Sequence, residues 1–141
     1  LNAQVLFHGV NVKPGMHLLL ALKNNKIIIA LPGFAYSSTV CAILYVLPLI
    51  YKFRNSNEKL PIVKARIAQD FKRFQAKTIF TACNVEYINN EYQINFDGKR
   101  SGTSAILTNM LESPALLIQK EDSQDIKSGD LVDILLLNNI K

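Results

Sequence analysis

Between Lys26 and Lys52 the chain has no charged side chain, the most informative absence in its 141 residues. A membrane-spanning helix wants about 20 predominantly apolar residues in one run, but Pro32-Gly33 breaks this run near its start and Pro48 interrupts it near its end. The stretch therefore reads as strand, turn and buried helix, and membrane association would rest on the uncharged run alone. Cysteine is scarce. Cys41 and Cys83 form no Cys-x-x-Cys pair and no Cys/His cluster, so zinc and redox signatures are missing and both read as small buried hydrophobes in a reducing, cytoplasmic setting. A concentrated basic stripe is also lacking: the net charge is +5, but only Lys72-Arg73 and Lys99-Arg100 are doublets, and acidic residues are interspersed. Nucleic-acid binding is not expected on that ground, and the basic excess fits an anionic small molecule at least as well. There is no initiator Met, no basic leader and no internal repeat, so the chain is expected to be a piece of a longer protein.

What is present is 49% hydrophobic and 19% charged, a globular composition. Residues 3–12 alternate as a short strand closed by Lys13-Pro14-Gly15, a defined turn that presents a lysine at a strand end. His8 beside it reads as a structural histidine rather than a ligand. HLLLAL (17–22) and KIIIAL (26–31) form a hairpin around Asn24-Asn25. The second run ends at Pro32-Gly33, with Ser37 or Ser38 placed to cap the following helix. A strand, a glycine turn and a hydroxyl-capped helix start are the arrangement that binds anions, although any strand-to-helix turn needs a glycine and a cap. Residues 54–59 are a polar linker. Beyond it, 62–74 reads as a long strand, 78–88 and 91–96 as a hairpin around Asn89-Asn90, and 131–137 as the closing strand after a loop at 120–128. Lys99 to Thr108 is a second hydroxyl-rich, basic segment able to meet an anion. About 80 residues of short strands suit a small barrel or curled sheet.

In order and spacing these features resemble the molybdopterin molybdenumtransferases of molybdenum-cofactor biosynthesis, the group that includes the E-domain of gephyrin. FHGVNVKPG (7–15), LPG with Ser37 and the apolar helix, KARIAQDFK (64–72), SGTSAIL (101–107) and SGDLVDILLL (128–137) carry the resemblance. It implies an α/β plus β fold: residues 1–53 as the C-terminal part of a three-layer α/β molybdopterin-binding domain, 54–60 as linker, and 61–141 as a small, all-β, barrel-like domain. It implies a cytoplasmic, Mg-dependent enzyme that inserts molybdate into adenylylated molybdopterin with release of AMP, as a homodimer, with no nucleic acid or membrane partner. The magnesium ligands are expected upstream of Leu1, so this piece alone is expected to be inactive. By the same resemblance Lys13, Pro14 and Gly15, then Pro32, Gly33 and Ser37, and finally Ser104 bind the anionic substrate; no catalytic residue is assigned.

The departures from the family pattern lie in those loops. KPGKP becomes KPGMH, with Met16 and His17; LPGNPVS becomes LPGFAYS, with Phe34 and Ala35; PGRTEF becomes QAKTIF, with Lys77 for arginine and Ile79 for glutamate. Lysine lacks arginine's planar fork for oxyanions. A second reading follows from them, a catalytically impaired paralogue that acts as a binding or scaffold protein on the same fold.

Overall fold

The computed structural model describes residues 2–99 and 114–140. Its first 30 residues hold strands β1 (Gln4–His8), β2 (Val12–Lys13), β3 (Leu19–Lys23) and β4 (Lys26–Ala30). β1, β3 and β4 form a three-stranded antiparallel sheet in the order β1-β3-β4. The β3–β4 connection is a two-residue turn in which Asn24 and Asn25 have φ of 48° and 59°. Asparagine tolerates that left-handed region, and two such residues match the turn to the twist of the strands.

The uncharged stretch is a single helical run, α1 (Ala35–Cys41), a π-helical turn (Ala42–Val46) and α2 (Leu47–Phe53). The wide turn lies immediately before Pro48. Proline has no N–H to donate, and a register shift just upstream, with the Leu47 N–H reaching back to the Ala42 carbonyl, accommodates the break. The run ends in a Schellman motif: Asn55, at φ 51°, donates to the Lys52 carbonyl, and Ser56 to that of Tyr51. The polar linker thus begins as a helix stop. The 19 residues Ala35–Phe53 are long and apolar enough to cross a membrane, yet Tyr36, Val40, Cys41 and Tyr51 are buried against protein. The expectation of a buried helix holds along one side only, because Ile50 and Phe53 are exposed.

The remaining strands are β5 (Ile62–Ile67), β6 (Thr78–Ile88), β7 (Glu91–Asn95), β8 (Ala115–Gln119) and β9 (Leu131–Leu136). They close into a ring, β6-β7-β5-β9-β8 and back to β6, in which only β5 and β7 run parallel. Closure removes the free edges that an open sheet would expose. Alternation divides the side chains between two cores. Ile67, Cys83, Ile94, Leu117 and Ile134 fill the interior, whereas Phe80, Ala82, Leu116 and Leu135 face outward onto Tyr36 and Val40 of α1.

The expected strand over 62–74 stops at Ile67. Asp70 turns the chain aside by accepting from the Ser128 N–H and the Lys127 ammonium, at 2.9 and 3.0 Å. Phe71 then forms an isolated bridge with Ile126. The expected hairpin at Asn89-Asn90 is present, both residues having positive φ.

Candidate functional site: the KPG loop on the helix

β2 is two residues long and pairs in parallel with the start of β6, Val12 opposite Thr78 and Lys13 opposite Ile79. This pairing fixes Lys13, half-buried, where the first sheet meets the barrel. The Lys13–Pro14 bond is cis, and Pro14 and Gly15 are buried. Gly15 has φ 117°, a conformation open to glycine, and a Cβ there would overlap the Cys41 Sγ. The Cys41 thiol donates to the Gly15 carbonyl at 3.4 Å, and burial pushes its pKa up. The loop therefore lies directly on α1, whose Ser37 carbonyl also faces Gly15.

Ser37 is 4% exposed. Neither Ser37 nor Ser38 is the cap expected from sequence, because α1 starts earlier, with Phe34 in the N-cap position at φ −80°, ψ 130°. The Phe34 carbonyl accepts the Ser38 N–H at 2.8 Å, and no side chain caps the first turn. Phe34 is an exposed phenyl ring, and the first-turn N–H groups are left without a side-chain cap. Pro32 and Gly33 precede this turn. Gly33 lacks a positive φ, and a Cβ on it would meet nothing within 4 Å, so packing does not require glycine there and the lip is open above it. Ser104 lies outside the described residues.

Three of the substituted positions lie along the KPG loop and the strand it pairs with. Ile79 is the partner of Lys13 across the strands, and Lys77, two residues earlier, donates from its ammonium to the Met16 thioether at 2.8 Å. The structure thus brings together Lys13, Pro14, Gly15 and Ser37 with Met16, Lys77 and Ile79, positions far apart in sequence. Among the described residues no three His, Cys, Asp or Glu side chains group as a metal site. His8 is exposed on β1.

Sequence reasoning missed Tyr36. Its hydroxyl donates to the Phe80 carbonyl and accepts from the Ala82 N–H, both at 3.0 Å. These two backbone groups fall on β6 between its pairing with β2, which ends at Ile79, and its pairing with β7, which begins at Asn84. The hydroxyl fills the gap in the ladder and fastens α1 to the barrel. Burial, partly offset by the Ala82 N–H, raises the Tyr36 pKa to about 12. A tyrosine two residues into an apolar helix gives no sequence signal for this role.

No family model matches the chain. A molybdopterin biosynthesis protein of Methanocaldococcus jannaschii is 23% identical over 133 residues, which are 94% of this chain and 30% of that protein. The crystal structure of the MoeA molybdopterin biosynthesis protein of Pyrococcus horikoshii superposes with a TM-score of 0.71 at 26% identity, covering 94% of this chain and 32% of that one. A molybdenum cofactor biosynthesis protein of Pyrococcus furiosus superposes with a TM-score of 0.71 at 19% identity, covering 95% of this chain and 46% of that one. The chain thus spans about a third of the length of the curated relative it matches.

Proposed function

Taking as premise that the chain is similar to a C-terminal segment of the MoeA-like molybdopterin biosynthesis proteins, we propose that it serves molybdenum-cofactor biosynthesis. In this reading the full-length protein inserts molybdate into adenylylated molybdopterin, with release of AMP, as a cytoplasmic homodimer. Residues 1–53 complete a molybdopterin-binding domain, 54–60 link it, and 61–141 form the barrel domain. The single observation that carries the reading is the seating of the KPG loop on α1, against Ser37 and Cys41.

That arrangement supplies what an oxyanion needs. In this reading Lys13 provides a point charge, the first-turn N–H groups of α1 provide donors along the positive end of the helix, and Ser37 adds a hydroxyl, while Ser104 is assigned to the site by the resemblance alone. Lys77, beside Met16, is the second cation at this junction. Relative to the family pattern, a positive charge is lost at Met16 and a negative one at Ile79, and Lys77 keeps the charge of the arginine it replaces. The net charge of the site is therefore conserved while its hydrogen-bonding groups decrease. By the resemblance, the magnesium ligands belong to the part of the family's domain that precedes the segment matched here.

The test is complementation of a strain lacking this activity with the full-length protein. Restored molybdoenzyme activity that falls at least about tenfold in Lys13→Ala supports the reading, since a lost charge-assisted contact is worth roughly 1.5–3 kcal/mol. Failure both to bind molybdopterin and to complement overturns it. The placing of Met16, Lys77 and Ile79 beside the KPG loop favours one alternative, a catalytically impaired paralogue that binds or scaffolds on the same fold. Metal-dependent turnover by the full-length protein excludes that alternative.

A further inference from the structure

Met16 follows the KPG loop directly and is 41% exposed. Its backbone is fixed, because the Met16 carbonyl accepts from the Val10 N–H at 3.0 Å and the Leu18 carbonyl from the Gly9 N–H at 2.7 Å. Lys77 is fixed from the other side: the next residue, Thr78, pairs with Val12 and donates from its N–H to the Asn11 carbonyl at 3.2 Å. Two locked backbone segments, 61 residues apart in sequence, thus bring the Lys77 ammonium onto the Met16 thioether.

The two groups are poorly matched. A thioether is a weak acceptor, and among the described residues the half-buried Lys77 forms no ion pair. Oxidation of the sulfur removes the mismatch, because a sulfoxide oxygen carries negative charge and accepts a strong bond from an ammonium. Met16 belongs to neither hydrophobic core, so a polar product there disrupts no apolar packing, and its exposure admits a small oxidant.

We propose that Met16 is a modification site: peroxide converts it to the sulfoxide, whose oxygen captures the Lys77 ammonium so that it no longer meets an incoming oxyanion. The sulfur lone pair that Lys77 leaves free attacks one peroxide oxygen, and the O–O bond breaks. The departing hydroxide takes the proton from the sulfur-bound oxygen and leaves as water. Sulfur is oxidised by two electrons, and the peroxide is reduced. Rotation about the terminal bonds of the flexible side chain brings the new oxygen to the ammonium, and methionine sulfoxide reductases reverse the step. The consequence for oxyanion binding rests on the reading of the KPG loop given above; the oxidation and the capture do not.

In the test, the full-length protein is treated with hydrogen peroxide, acylated briefly with an N-hydroxysuccinimide ester and mapped by peptide mass spectrometry, with N-acetylmethionine amide in the same tube as reference. Met16 should gain one oxygen, and Lys77 should then acylate about fivefold more slowly, while Lys64 and Lys72 keep their rates. A methionine sulfoxide reductase should restore the Lys77 rate, and in Met16→Leu that rate should be indifferent to peroxide. Molybdate, titrated by calorimetry, should bind the oxidised wild-type protein about fivefold more weakly and Met16→Leu equally before and after peroxide. The proposal is overturned if Met16 stays unmodified when the reference is fully oxidised, or if the Lys77 rate ignores the oxidation. A peroxide response that persists in Met16→Leu overturns it as well, as does unchanged molybdate binding in the oxidised wild type. Unoxidised protein that binds no molybdate at all counts against the anion-site reading instead, and the acylation rates then decide the proposal alone.

Discussion

The two regions of this chain use similar strands to opposite ends. The barrel turns its apolar side chains inward around a closed ring, leaving Leu117 and Ile134 at 0% exposure. The β1-β3-β4 sheet and the outer side of the helix leave theirs uncovered, with Val5, Leu6, Phe7, Ile27, Phe34 and Phe53 all exposed. The difference is topological. A ring of five strands satisfies its own edges and buries its own core, whereas three strands and one helix leave an apolar side uncovered. Stability in this chain therefore resides in the barrel, and the first region holds its shape by leaning on it through β2 and Tyr36.

That contrast breaks most sharply in the barrel core. Leu117→Ala should cost about 2–5 kcal/mol of unfolding free energy, the usual range for emptying a fully packed leucine position, measured by urea denaturation. At the junction, Gly15→Ala should cost about 1–3 kcal/mol, since it combines a strained positive φ with overlap on the Cys41 thiol; adding Cys41→Ala should recover only the overlap. Tyr36→Phe should cost about 1–2 kcal/mol by leaving the Phe80 carbonyl and the Ala82 N–H without partners. The same tyrosine predicts a pH dependence. Its pKa is raised from 10.0 to about 12 in the folded protein, so its stabilising contribution is complete below pH 10.0 and declines as the pH rises towards 12. Cys83, also raised to about 12 by burial, acts in the same direction from pH 9.0 upward, and the alkaline loss of stability in Tyr36→Phe should be smaller by the Tyr36 part alone. On the acid side, the ion pairs of Asp133 with Lys64 and Lys120 depress the Asp133 pKa below 3.8, so their contribution is present above that pH and is lost as pH falls through the depressed value. The smallest effect should come from the open sheet. Val5→Ala, at a residue 55% exposed, should change stability by less than about 0.5 kcal/mol, and a loss as large as that of Leu117→Ala would erase the distinction between the regions.

Much of the architecture could be read from local chemistry. Asn24-Asn25 and Asn89-Asn90 announce their hairpins because consecutive asparagines tolerate left-handed backbone, and alternation in residues 78–88 separates the inner from the outer face of β6. The resemblance carried the KPG loop and Ser37 to one place, and the structure puts Gly15 against Ser37 and Cys41. Features that depend on long-range partners were not legible. The helix begins at Ala35 rather than after a serine cap because Phe34 already has extended geometry there. The segment after Ile67 leaves the sheet because Asp70 finds its partners in the turn at Lys127–Ser128, nearly 60 residues away in sequence. The buried Gln119, whose amide has no partner among the described residues, is likewise invisible in the run ALLIQ, where only the closed ring determines that its amide is buried.

The Tyr36 hydroxyl connects cleft and barrel mechanically. It pairs two backbone groups of β6, so α1 cannot shift without leaving a peptide carbonyl and a peptide N–H unpaired in an apolar contact. The helix start and the wall of the barrel are therefore held as one piece, and the freedom to move is left to the exposed residues around Phe34.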